Sequence, residues 1–298
     1  MNRRTFVCSG LAAAAAPATG KQLIVHADDA GMCHSANIAT MEAMTKGAVS
    51  SASIMMPCPW VLEMAEWARA HKEMDLGLHL TLTSEWKHYR WRPVAPADRV
   101  KGLLDQEGYL WRSEIQTASQ ASAAEVETEL RAQIELARKY GIAFTHIDTH
   151  MGTLYTRPDY FEVYTKLALE NGVPCMLPRP SEELRARKTP ITEAMLLSKE
   201  KAGLPLIDWL VTGVPGRTPA ERRESYLKLI GGLRAGVTKL IIHLAKDDAE
   251  IRSITGNWEQ RWGDYLFWSS PEAREALAAA EVQLFTYREL ARAARDLK

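Results

Sequence analysis

The chain has 298 residues, 46% of them apolar, enough to bury a sizeable core, which argues against global disorder. Lysine plus arginine and aspartate plus glutamate both number 37, a formal charge of zero. That balance leaves no basic excess to form a nucleic-acid footprint.

Residues 1–20 read as a signal peptide rather than as part of the fold. Arg3 and Arg4 precede an apolar run over residues 11–16, and Ala16-Pro17-Ala18 supplies small residues for cleavage. The arginine pair points to twin-arginine export, hence to a periplasmic protein that folds and takes up its metal before export. The run is too short to span a bilayer. Cys8 leaves with this segment. Cys33, Cys58 and Cys175 remain without metal-type spacing. Cys33 and Cys58 follow successive predicted strands and read either as a disulfide or as two buried thiols.

Residues 21–298 read as one domain. The first predicted strand covers residues 23–27, an apolar and β-branched run too short for a helix. It ends in Asp28-Asp29, and Gly31 permits a sharp turn. Neighbouring side chains on a strand point to opposite faces, so both carboxylates serve one site only if the chain bends there. The alternative is that one of them caps the helix beginning near Ser35. Further helices are expected over residues 35–46, 60–71, 123–140, 158–171, 181–203, 219–231, 271–280 and 288–297. Further strands are expected over residues 50–56, 76–82, 144–149, 173–177, 205–211, 237–244 and 282–287. Helix 123–140 is the clearest, with Glu125, Glu127 and Glu129 first and Arg138 and Lys139 last, matching the macrodipole. Residues 83–121 and 245–269 lack periodicity and read as long aromatic-rich loops, which in compact domains are usually functional. Strands alternating with helices and no linker give a single α/β domain, most simply a barrel whose site lies at the carboxyl ends of its strands.

Four predicted strand ends look alike. They read Asp28-Asp29, Gly77-Leu78-His79-Leu80, Thr145-His146-Ile147-Asp148-Thr149-His150 and Ile241-Ile242-His243-Leu244. Two imidazoles and one carboxylate can hold a divalent cation with positions left open for water. A second carboxylate can then take the water proton and a separate histidine protonate the leaving group. His146, Asp148 and His150 share one strand face. Asp148 with His146 reads either as support that orients a ligand imidazole or as a hydrogen-bonded core pair.

The first three of these motifs, in this order, resemble the YdjC/ChbG (ChbG/HpnK) carbohydrate deacetylases from about Gln22 to the end of the chain. The resemblance implies a distorted (β/α)7–8 barrel, a divalent metal (magnesium or zinc) and hydrolysis of an N-acetyl group from an amino sugar or short oligosaccharide. It implies Asp29, His79 and His150 as metal ligands, Asp28 as general base and His243 as general acid. The chain departs from the family pattern at Leu244, where a proline is usual, at Ala30, where an aromatic is usual, and at Met151-Gly152, where histidines follow. Trp86, His88, Tyr89, Trp91, Trp258 and Trp262 read as sugar-stacking rings or as loop anchors. Arg90 and Arg92 read as partners for an acidic group or as solvated charge. Two rivals stand: an iron oxygenase using His146, Asp148 and His243, and a non-catalytic carbohydrate-binding protein. A homo-oligomer is compatible with the sequence.

Overall fold

The computed structural model describes residues 20–181 and 189–296. The predicted signal peptide and part of the expected helix 181–203 lie outside the described residues. The strands are β1 (Lys21–Ala30), β2 (Ser51–Ile54), β3 (Leu76–Leu80), β4 (Ile147–Thr149), β5 (Trp209–Val211), β6 (Gly236–His243) and β7 (Val282–Leu284). The helices are α1 (His34–Thr45), α2 (Val61–Ala70), α3 (Glu114–Gln120), α4 (Ala123–Lys139), α5 (Pro158–Asn171), α6 (Glu193–Lys201), α7 (Pro219–Gly231), α8 (Ala249–Ile254), α9 (Trp258–Trp268), α10 (Pro271–Ala279) and α11 (Tyr287–Asp296).

All ladders are parallel, in the order β4-β3-β2-β1-β6-β5, with β7 paired to the start of β1. The expected parallel α/β domain is present. β1 is its centre: Leu23, Ile24, Val25 and Ala27 are fully buried, as a parallel strand covered on both faces requires. Helix ends follow the local chemistry. Ser122 and Glu125 form a capping box on α4, Thr218 and Glu221 one on α7, and Pro158 opens α5. The buried Asp75 carboxylate accepts from the backbone N–H groups of Tyr287 and Arg288 and so docks the start of α11.

Three expectations change. Residues 173–177 do not form a ladder strand; they contribute the isolated bridge Ile147↔Cys175, and Pro178 bridges Ile207. Residues 245–269 are not an irregular loop but contain α8 and α9. The inward stripe of α9 includes the charged Arg261 and Asp264 beside Phe267 and Trp268, so it carries no clean apolar period to read. Residues 83–121 carry two short 3-10 turns and α3. Their start is tied down from α4. The Gln133 amide pairs with both backbone groups of Thr81, extending the β3 pattern past Leu80. The Glu129 carboxylate accepts from the backbone N–H groups of Val94 and Ala95. Burial pushes the Glu129 carboxyl up to about 7, against these bonds, which favour its charged form.

Candidate metal centre

Three strand ends bring the centre together. β1 bends at Asp29, whose φ of 67° lies in the left-handed region, and the β1–β2 register slips between Ala27 and Ala30. Such a bulge re-aims side chains, and it lets Asp28 and Asp29 face one site. A non-glycine residue held there costs on the order of 1–3 kcal/mol and must be over-determined by its surroundings. Gly31, at φ 88°, completes the turn, and its N–H donates to Asn37 Oδ1 at 2.6 Å. A Cβ on Gly31 would press on Ile54 and the Met55 carbonyl. Neither aspartate caps α1: its N-cap is Cys33, and Glu250 accepts from the Ser35 N–H instead.

Asp29 Oδ1 lies 3.5 Å from His79 Nε2 and 3.4 Å from His150 Nδ1, and the two ring nitrogens are 3.2 Å apart. The outer nitrogen of each ring shows where the lone pairs point. His79 Nδ1 donates to Asp148 Oδ1 at 2.6 Å, which leaves Nε2 with its lone pair toward the centre. His150 Nε2 donates to Glu85 Oε2 at 3.1 Å, so Nδ1 is the nitrogen that faces the centre and binds a cation once it gives up its proton. Asp29 Oδ1 has no hydrogen-bond partner among the described residues. Two imidazole nitrogens and a carboxylate oxygen converging in a buried space draw positive charge there, a proton on an imidazole or a cation between the three. Burial opposes charge on His150, yet Glu85 and Asp29 overcome it and push that ring up to about 10. The edges match the roughly 3.4 Å separation of tetrahedral ligands with ~2.1 Å bonds. These three residues therefore fit a divalent metal.

The surroundings hold these three side chains in place. Arg261 donates to the other Asp29 oxygen at 2.6 Å. Burial works to raise the Asp29 carboxyl, but Arg261 and His150 keep it well below the ordinary range. Asp148 is a hub: besides His79 it faces His26 Nε2 at 2.8 Å and the buried Lys239 ammonium at 3.0 Å, and it accepts from Ser53 at 3.2 Å. Asp28 lies beside the triad, its Oδ2 3.7 Å from His79 Nε2 and its Oδ1 3.2 Å from His26 Nε2. Burial tends to raise the Asp28 carboxyl; His79, the His26 bond and Lys239 outweigh it, so the group is held ionised. His243 is the register partner of Asp28 on β6, and its backbone N–H donates to Asp264. Burial lowers its imidazole below the ordinary value and keeps it neutral.

His146 is drawn into the core. It stacks on Tyr287 at 3.9 Å and touches His26 edge-on. A Cβ on Gly77 would collide with its ring. His146 and Asp148 therefore gather with His26 and not with His243, so the iron-oxygenase triad is not assembled among the described residues. The parallel sheet also differs from the jelly roll that reading needs.

The aromatic candidates divide. Trp91 is buried, donates to the Thr83 carbonyl and stands 6.4 Å from His150, so it is a wall rather than an open face. Trp86 is partly open and lies under Arg261. The Tyr89 hydroxyl donates to the Met32 carbonyl, bridging two loops. Trp258 and Trp262 stack on each other along α9, and His88 is exposed. Among the described contacts none joins these last three to the triad. Arg90 is not solvated charge: it is buried against Asp105 and the Leu110 carbonyl and anchors its loop. Arg92 lies over the Tyr109 ring. Cys33 and Cys58 are free buried thiols. Burial pushes Cys33 up to about 12 and raises Cys58 too, so neither offers a thiolate.

Glu85 and Lys239 were not found by sequence reasoning, and Arg261 was marked only as part of a segment, residues 261–264, that resembles the family. Lys239 left a signal of its own: a lysine inside the apolar run of β6 must find a buried partner.

The chain is similar to several known proteins. A carbohydrate deacetylase of Thermus thermophilus is 36% identical over 257 residues, covering 86% of this chain and 89% of that protein. A chitooligosaccharide deacetylase of Yersinia enterocolitica is 26% identical, covering 70% and 75%. A crystal structure from Enterococcus faecalis, provisionally assigned to cellobiose-phosphate cleavage, superposes with a TM-score of 0.78 at 25% identity, covering 91% of this chain and 99% of that one. The family model described as YdjC-like protein matches residues 22–279, and the chain belongs to that family.

Proposed function

We propose that the chain is a metal-dependent carbohydrate deacetylase that hydrolyses an N-acetyl group on an amino sugar or short oligosaccharide. One observation carries this reading: His79 Nε2 and His150 Nδ1 converge on Asp29 Oδ1 within 3.5 Å, with an ionised Asp28 alongside. The names of its relatives support the substrate class. The distorted barrel expected from the sequence is supported by the single bridges that link β4 to Cys175 and Pro178 to Ile207, beside β5.

Asp29, His79 and His150 hold the metal. A bound divalent cation polarises the acetyl carbonyl and makes water a better nucleophile near neutral pH. Imidazole nitrogens suit zinc better than magnesium, so zinc is the first metal to add back. Asp28 takes the proton of the attacking water, and its ionised state suits a base. Arg261 occupies the far oxygen of Asp29, so that residue offers the centre one oxygen only. His243 is the candidate donor to the departing amine. It is neutral at rest, so the proton it passes to the departing amine is the one that Asp28 removes from the attacking water. Trp86 and Tyr89 position the sugar ring.

Acetate release from acetylated sugars of increasing length, after chelation and metal add-back, tests this reading. Asp28→Asn is expected to retain metal and lose roughly 10²–10⁴-fold in kcat. His243→Ala is expected to lower kcat more than it raises KM. Sugar binding without metal-dependent acetate release would instead assign a non-catalytic binding protein.

A further inference from the structure

We propose that His34 and Trp60 form a second sugar-binding platform, which takes a ring of an acetylated oligosaccharide beyond the one being deacetylated. This inference rests on the deacetylase reading for its substrate class. His34 opens α1 and Trp60 immediately precedes α2. Those helices follow β1 and β2, so both residues lie at the carboxyl ends of the strands, the face that holds the metal ligands.

Trp60 is 39% exposed, in a chain that buries most of its large apolar side chains. It is also held in place. The His34 ring sits 5.0 Å from it, tilted by 38°. His34 Nδ1 lies 2.7 Å from Glu63 Oε1, and Glu63 Oε2 accepts from Asn37 Nδ2 at 2.7 Å. The same Asn37 amide donates to the Trp60 carbonyl at 3.0 Å, while its oxygen accepts the Gly31 N–H. The platform is therefore fastened to the turn that aims Asp29, two residues earlier. An exposed aromatic ring pre-ordered by its neighbours gives up little freedom on binding and presents an apolar face for an apolar sugar face.

A second observation gives the direction. Rings lead from the triad toward the rim: Trp91 next to His150, and Trp86 and Tyr89 at 5.4 and 6.1 Å from Trp91. The Tyr89 hydroxyl then rests on the Met32 carbonyl, two residues before His34. The proposal lays the outer rings of an oligosaccharide along this series of rings toward the platform and keeps a monosaccharide at the metal end.

The experiment compares wild type with Trp60→Ala and His34→Ala on N-acetylglucosamine oligomers from the monomer to the pentamer. For wild type, kcat/KM should rise with length. Trp60→Ala should raise KM about tenfold for the longest substrates, leave kcat intact and leave the shortest accepted substrate unchanged. His34→Ala should shift KM the same way by less. An equal loss at all lengths, or no loss at any, overturns the proposal. Pentamer binding measured by calorimetry in the Asp28→Asn background separates the two readings. Binding weakened about tenfold by Trp60→Ala upholds the platform even if no sugar yields acetate. Pentamer binding that Trp60→Ala leaves unchanged, or no pentamer binding at all, overturns it.

Discussion

Two buried clusters sit one above the other at the end of the sheet, built from the same residue types. Asp29, His79 and His150 form one; His26, His146 and Asp148 form the other, and both bring their donor atoms within 4.8 Å. Residue type and proximity do not separate them. Satisfaction does. In the lower cluster His26 has both ring nitrogens engaged, by Ser51 at 2.9 Å and by Ser53 and Asp148, and Lys239 already supplies a cation to Asp148. In the upper cluster Asp148 and Glu85 hold the outer nitrogens, and the inner nitrogens face each other and Asp29 Oδ1, which has no hydrogen-bond partner among the described residues. The lower cluster already holds the Lys239 ammonium, although His146 Nε2 has no hydrogen-bond partner among the described residues; in the upper one three donor atoms face one another across a space that suits a positive ion.

The sharpest test of this contrast removes one member from each. Asp29→Ala, His79→Ala and His150→Ala should each fail to retain metal by elemental analysis. Lys239→Met should retain metal at saturation while losing about 3–5 kcal/mol of stability in denaturant, because Asp148 is left buried without its ammonium. Metal retained by all three ligand variants, or lost only on replacing Lys239, would reverse the assignment of the clusters.

Glu85 ties the upper cluster to the aromatic loop. Glu85→Ala should free the His150 ring and weaken metal affinity roughly 10–100-fold, read by competition with a chelator. An unchanged affinity would reduce Glu85 to a surface contact.

Glu129 is a smaller case of a saturated carboxylate, placed away from the metal. Its folded value of about 7 lies above the ordinary 4.5, so the folded chain holds a proton there that the unfolded chain releases. That contribution is fully present below the unfolded value and is lost as pH rises through about 7. Denaturant stability should fall by on the order of 2–3 kcal/mol from about pH 5 to about pH 8, and Glu129→Gln should flatten that slope. Parallel slopes in both proteins would remove Glu129 as its source.

What could be read from the sequence follows the same division. β1 was legible because an apolar run ending in two acids and a glycine has few uses, and the predicted bend falls at Asp29. The ends of β3, β4 and β6 were legible through their histidines. Asp148 read either as a support or as half of a core pair, because its second imidazole, His26, and its ammonium, Lys239, come from strands far apart in sequence. Glu85 is one acid in an aperiodic segment, and Arg261 sits on a helix whose buried stripe is partly charged. Such partners have no local signature, because the contact that explains each is made only by the fold. The aromatic residues show the opposite limit: composition marked their loops, yet burial decided that Trp91 is a wall.

The most direct measurement is anomalous diffraction from crystals grown with zinc. The account predicts one strong peak per chain, enclosed by Asp29 Oδ1, His79 Nε2 and His150 Nδ1. A peak enclosed by His26, His146 and Asp148, or none between the three proposed ligands, would contradict it.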